Sequence, residues 1–140
     1  MKNLMLFGLI LCMMLTAGSV AAQDSGKEKA AMAAAETWLS VVDSGKYGQS
    51  WEEAAEYLRN ALSQEEWVQA LKTVRSPLGK CLSRKVIRTD YRTALPGAPD
   101  GEYVVIQFES SFENKKSAIE TVTPMVEKGG AWRVSGYYIQ

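Results

Sequence analysis

No histidine occurs among the 140 residues of the sequence. That removes the side chain that most often acts as a general base at neutral pH and the commonest protein ligand for zinc. Cysteine is almost as scarce, with only Cys12 and Cys81. Zinc fingers, c-type haem attachment and thioredoxin-like exchange all need a second thiol or a histidine nearby, so none of them fits. A surplus of one charge sign is also missing, because 16 Lys and Arg balance 16 Asp and Glu. A general nucleic-acid binder needs a clustered basic surplus, which argues against nucleic acid as a partner. Beyond residue 22 no run is long and apolar enough to cross a membrane.

What is present begins with a leader. Lys2 gives a short positive start, Leu4 to Leu15 is apolar apart from Gly8, and Thr16 to Ala22 is small and weakly polar. Val20-Ala21-Ala22 matches a signal-peptidase site before Gln23. An uncleaved anchor is the alternative, but a spanning helix needs roughly 20 apolar residues and this run is shorter. Cys12 follows Leu9-Ile10-Leu11 and lies too early for lipid attachment. Residues 1–22 are therefore expected to be a removable signal peptide, with a periplasmic or secreted product. Cleavage takes away one charge, Lys2, and one thiol, Cys12. Cys81 is then left without a partner in the chain and is expected to be free, or less favourably joined to a second copy.

Residues 23–29 read as a polar, mobile lead-in, and residues 30–140 as one domain. A first helix is expected to about Asp43, where Ala31, Ala34, Ala35, Trp38, Val41 and Val42 form an apolar stripe. Ser50-Trp51-Glu52-Glu53 and Ser63-Gln64-Glu65-Glu66 both read as capping boxes that open two further helices. The second helix then presents Trp51, Ala54, Ala55, Leu58 and Leu62, and the third Trp67, Ala70, Leu71 and Val74. The helical period stops at Arg75-Ser76-Pro77-Leu78-Gly79. Four strands follow, at about Cys81 to Thr93, Glu102 to Phe112, Ser117 to Glu127 and Ala131 to Ile139. Helices first and an antiparallel meander afterwards predict an α+β fold with three N-terminal helices on a curved four-stranded sheet. The cystatin-like roll of nuclear-transport-factor-two-like proteins is the nearest named architecture. It is an analogy of fold and carries no function.

Several groupings resemble a bacterial family of exported domains of unknown function, number 4019 in that series. They are Trp38-Leu39, Asp43-x-Gly45-x-Tyr47-x-x-Ser50-Trp51, Arg75-x-Pro77-Leu78-Gly79 and Leu95-Pro96-Gly97-x-Pro99-Asp100-Gly101-x-Tyr103. The resemblance continues through Glu120-Thr121-Val122-Thr123 and Trp132-Arg133-Val134-x-Gly136-Tyr137-Tyr138. It implies a small exported protein and supplies no catalytic residues.

Without histidine a nucleophilic triad would need Lys or a carboxylate as base, and no motif frames one. The carboxylates do not cluster like metal ligands, so no metal, cofactor or catalytic residue is assigned. Lys80, Arg84, Arg88 and Arg92 occupy even positions of the first strand, which would place them on one face. That face is either an anion site or a solvated surface that blocks edge pairing, and Asp90, Leu82 and Val86 favour the latter.

Register gives the sharpest candidate. If Asn114-Lys115-Lys116 is a three-residue loop, Phe108 faces Val122 and Ser110 faces Glu120. If Lys128-Gly129-Gly130 is another, Val126 lies near Trp132 and Glu120 near Tyr138. Glu120 becomes the one charge on an otherwise apolar face, held between Ser110 and Tyr138. The candidate ligand-binding residues are then Glu120, Tyr138 and Ser110, joined by Tyr47, because a phenol wants a polar partner at one end. The alternative is that Glu120 sits at the rim and pairs with Arg84 or another base. Pro124 warns of a bulge that would shift the register beyond it.

Two functions follow. The first is a non-enzymatic exported module that binds a small ligand or an envelope protein. The second is a small acid/base enzyme that uses Glu120. A buried, isolated Glu with a polar neighbour on the concave face would favour the enzyme. A concavity filled by tryptophans would favour partner binding on the outer surface.

Overall fold

The computed structural model describes residues 19–140, and the proposed leader lies outside them apart from residues 19–22. Helix α1 spans Ser19–Asp43, α2 Tyr47–Glu52, α3 Glu56–Ala61 and α4 Gln64–Val74, followed by a 3-10 turn at Ser76–Leu78. Strands β1 (Cys81–Arg92), β2 (Tyr103–Phe112), β3 (Lys115–Val126) and β4 (Trp132–Ile139) then form one antiparallel sheet in sequence order. The chain thus has the α+β fold, with helices first and a four-stranded antiparallel sheet after them. Among the described residues, no helix is long and apolar enough to cross a membrane.

Helix α1 packs across all four strands. Its stripe of Ala31, Ala35, Trp38, Leu39 and Val42 is buried against Val104, Ile106, Phe108, Val122 and Val134 of the sheet. Alanines at two of these five positions let the helix approach the sheet closely, and Trp38 fills the remaining volume. The segment 23–29, expected as a lead-in, continues this helix. Apart from Gly26 it holds no strong helix breaker, and it is tied down by side chains. Lys27 Nζ lies 2.5 Å from Glu102, and Thr89 donates to Glu28.

The stretch expected as one second helix is two short ones, and Ser50 is not its cap. Ser50 lies inside α2, fully buried. Its hydroxyl donates to the Tyr47 carbonyl (2.6 Å) and accepts from the Trp67 indole (2.9 Å), while its carbonyl accepts from the Trp38 indole (2.8 Å). The helix stops because the Ala55 N–H donates to the Val134 carbonyl of β4 (2.8 Å) and is lost to the helical ladder. A tertiary hydrogen bond overrides local propensity there. Ser63 does cap α4, with both halves of the capping box formed.

The β2–β3 hairpin turns on Glu113-Asn114, since Phe112 pairs with Lys115. The observed partners are Phe108 with Glu120 and Ile106 with Val122. This register is two residues from the expected one, so every side chain keeps its face. The β3–β4 pairing starts as expected at Val126 and Trp132 and then slips by one between Thr123 and Pro124. Pro124 has no N–H to offer, and Ser135 is the extra residue, its hydroxyl donating to the Thr123 carbonyl (2.7 Å).

Candidate functional site

The slip at Pro124 decides what surrounds Glu120. Val122 pairs with Tyr137 and Thr121 with Tyr138. Tyr137 therefore turns inward and Tyr138 outward, where it is 59% exposed. Glu120 itself is 0% exposed. Its Oε1 accepts from Arg84 Nε (2.7 Å) and the Ser110 hydroxyl (2.5 Å). Its Oε2 accepts from Arg84 Nη2 (3.2 Å) and from the Tyr137 hydroxyl. The four strands thus contribute Arg84, Ser110, Glu120 and Tyr137 in order, meeting at one carboxylate.

Two more residues extend this cluster to the helices. The free face of the Arg84 guanidinium donates to Asp43, at 2.7 Å from Nη1 and 3.0 Å from Nη2. Asp43 is the last residue of α1, where cations complement the exposed carbonyls. It also accepts from Arg75 Nη2 (3.1 Å), and Arg75 Nη1 reaches the Gly79 carbonyl (2.7 Å). Arg75 is buried just beyond α4, its guanidinium 4.5 Å over the Phe112 ring. Gly79 presents its carbonyl from a positive φ of 75°, a conformation that suits glycine. Glu120, Arg84, Asp43 and Arg75 therefore form an alternating row of two negative and two positive groups.

The electrostatics follow from that row. Burial works against the Asp43 carboxylate, yet hydrogen bonds from Arg84 and then Arg75 hold it below the usual carboxylate range. Arg84 is likewise opposed by burial and kept charged by Asp43 and Glu120. The Tyr137 phenol is pushed far up, by burial first and by the neighbouring Glu120 second. Burial also raises the Cys81 thiol, against the attraction of Arg84, so this single described cysteine is a poor nucleophile.

Of the candidate residues, the structure brings Glu120 and Ser110 together and leaves Tyr138 and Tyr47 apart from them. Tyr47 opens α2 and is half-buried against the helical core. Tyr137, Asp43 and Arg75, which the sequence offers only within the groupings of the family resemblance and not as site candidates, join the cluster. Pro124 was the signal for Tyr137. Asp43 and Arg75 also mark helix ends in the sequence. The even-numbered basic face of β1 is also corrected. A bulge between Val86 and Arg88 puts Arg84 inward and leaves Arg88 and Arg92 exposed on the outer side.

The buried Glu120 carboxylate offers no open side to a substrate. Trp38 packs edge-on to Tyr137 at 5.3 Å and against Trp67 at 6.0 Å, so the indoles fill the space above the sheet. Two surface grooves lie elsewhere. One of about 560 Å³ runs between α3 and the β3–β4 turn, and one of about 440 Å³ lies between α1 and β4 beside Trp132. Neither is lined by Glu120, Arg84, Asp43, Arg75, Ser110 or Tyr137.

A family model described as a protein of unknown function, DUF4019, matches residues 34–137. The chain belongs to this family. The DUF4019 match begins inside α1 and ends at Tyr137, so it takes in all six residues of the ionic cluster. No curated protein matches the chain.

Proposed function

We propose that this DUF4019 chain is an exported module that binds another protein of the cell envelope through its outer surface. The observation that carries this reading is the saturation of Glu120. Four donors occupy its oxygens, and an arginine holds it as one half of an ion pair. A general acid or base must reach a substrate proton within hydrogen-bonding distance. Glu120 has no open side from which to do so, which weighs against the acid/base enzyme. The filled concavity moves binding to the surface, and the leader supports export. A second reading, a small apolar ligand beside Trp132, is favoured by one feature. The groove there, at about 440 Å³, has the size of an ordinary ligand site.

The test uses the full chain expressed in its own host with photo-crosslinking residues at Trp132, Tyr57 and Ile87. N-terminal sequencing of the product should start near Gln23. Irradiation should give a discrete adduct with an envelope protein. Native mass spectrometry that finds a stoichiometric small molecule and no protein adduct would instead support the groove reading. A product that retains Met1 would contradict export.

A further inference from the structure

We infer that the free edge of β1 is the docking site, and that it takes an extended acidic and apolar segment of the partner as a fifth strand. This rests on the partner-binding reading above. The two edges of the sheet are not alike. At the β4 edge, the Val134 carbonyl is taken by the Ala55 N–H and the Arg133 side chain reaches the Glu53 carbonyl. Along β1, among the described residues, the backbone hydrogen bonds of Cys81–Arg92 to other backbone run only to β2, and one carbonyl, that of Ser83, is taken by the Cys81 thiol (3.5 Å). The outer edge of this twelve-residue strand, Ser83 apart, is therefore open to strand addition.

The side chains on this edge define what fits. Leu82 and Ile87 each oppose no residue on β2 and sit at its two bulges. Both are large and apolar, and they are 52% and 47% exposed. Val86, beside Ile87, is exposed as well. Between and beyond them stand Lys85, Arg88 and Arg92, all exposed. Asp90 is the one acid on the strand and is shared by Arg92 at 2.8 Å and Arg88 at 3.7 Å, which leaves the exposed side of the strand with a net positive charge. A second copy of β1 would bring these three cations against their own counterparts. Charge complementarity selects a foreign strand with acidic residues, whose apolar side chains would cover Leu82 and Ile87. The same cations that prevent self-pairing thus admit an acidic partner.

The test titrates the intact purified protein with a fluorescent peptide of alternating valine and glutamate, and with its valine and lysine counterpart. The acidic peptide should bind about tenfold or more tighter than the basic one, as complementary charge requires. Amide exchange should slow along β1 when it binds. Leu82→Glu with Ile87→Glu should abolish binding, and Lys85→Glu with Arg88→Glu should reverse the preference between peptides. All four positions are exposed, so unchanged circular dichroism is expected of both variants. Equal binding of the two peptides, protection elsewhere in the chain, or no binding of either would overturn the edge assignment. The partner-binding reading itself falls only if the crosslinking in the host yields no protein adduct.

Discussion

Glu120 shows how one residue of slip redistributes roles between neighbouring side chains. Tyr137 and Tyr138 are adjacent phenols, and the bulge opposite Pro124 gives the inward position to Tyr137. Its hydroxyl donates to a buried carboxylate, and a hydrogen bond to a charged group contributes about 1.5–3 kcal/mol. Tyr137→Phe should lower stability in urea melts by that amount. Tyr138→Phe, on the exposed face, should stay within about 0.5 kcal/mol of the parent, as surface changes usually do. The reverse order would mean that the bulge is misplaced and that Tyr138 is the inner phenol.

At the scale of elements, the two serines expected to be caps separate into two kinds of residue. Ser63 caps α4, and Ser63→Ala should cost about 1 kcal/mol. Ser50→Ala should cost more, up to about 3 kcal/mol, because it leaves the buried Trp67 indole N–H without an acceptor. Denaturant melts of the two variants check the order, and equal small losses would contradict the buried role. The contrast also shows what the sequence discloses. Periodicity marked the α1 stripe, the Ser63 box and the four strands, because those patterns are local. The two-residue error at the Glu113-Asn114 turn left every face correct, so Glu120 was still assigned to the interior. What stayed hidden depends on contacts far along the chain. The Ala55 bond to β4 cuts a helix, and the bulge at Ile87 turns Arg84 toward Glu120 and Asp43. Neither has a signature within a few residues of itself.

For the whole molecule, the ionic cluster joins α1, the end of α4 and all four strands, so its protonation belongs to global stability. Asp43 titrates below its unfolded value, so its contribution is present above about pH 4 and is lost as pH falls through the lower folded value. Tyr137 and Tyr103, both raised with burial the leading cause, act at the other end. In the unfolded chain these phenols ionise near pH 10, so stability should hold below about pH 10 and decline above it. Urea melts across this range should show that decline, and Tyr137→Phe should soften it. An undiminished decline would contradict the burial of that phenol. The central proposal is that the buried carboxylate serves as a structural element of this DUF4019 domain rather than as a working acid, base or ligand anchor. Substitution of residues held at a functional site often leaves stability unchanged or raised, whereas removing one member of a buried ion pair leaves its partner charge uncompensated. The most direct measurement is therefore equilibrium unfolding of Glu120→Gln at neutral pH. The predicted result is a single cooperative transition with stability lower by about 3 kcal/mol. A Glu120→Gln protein as stable as the parent, or more stable, would contradict it.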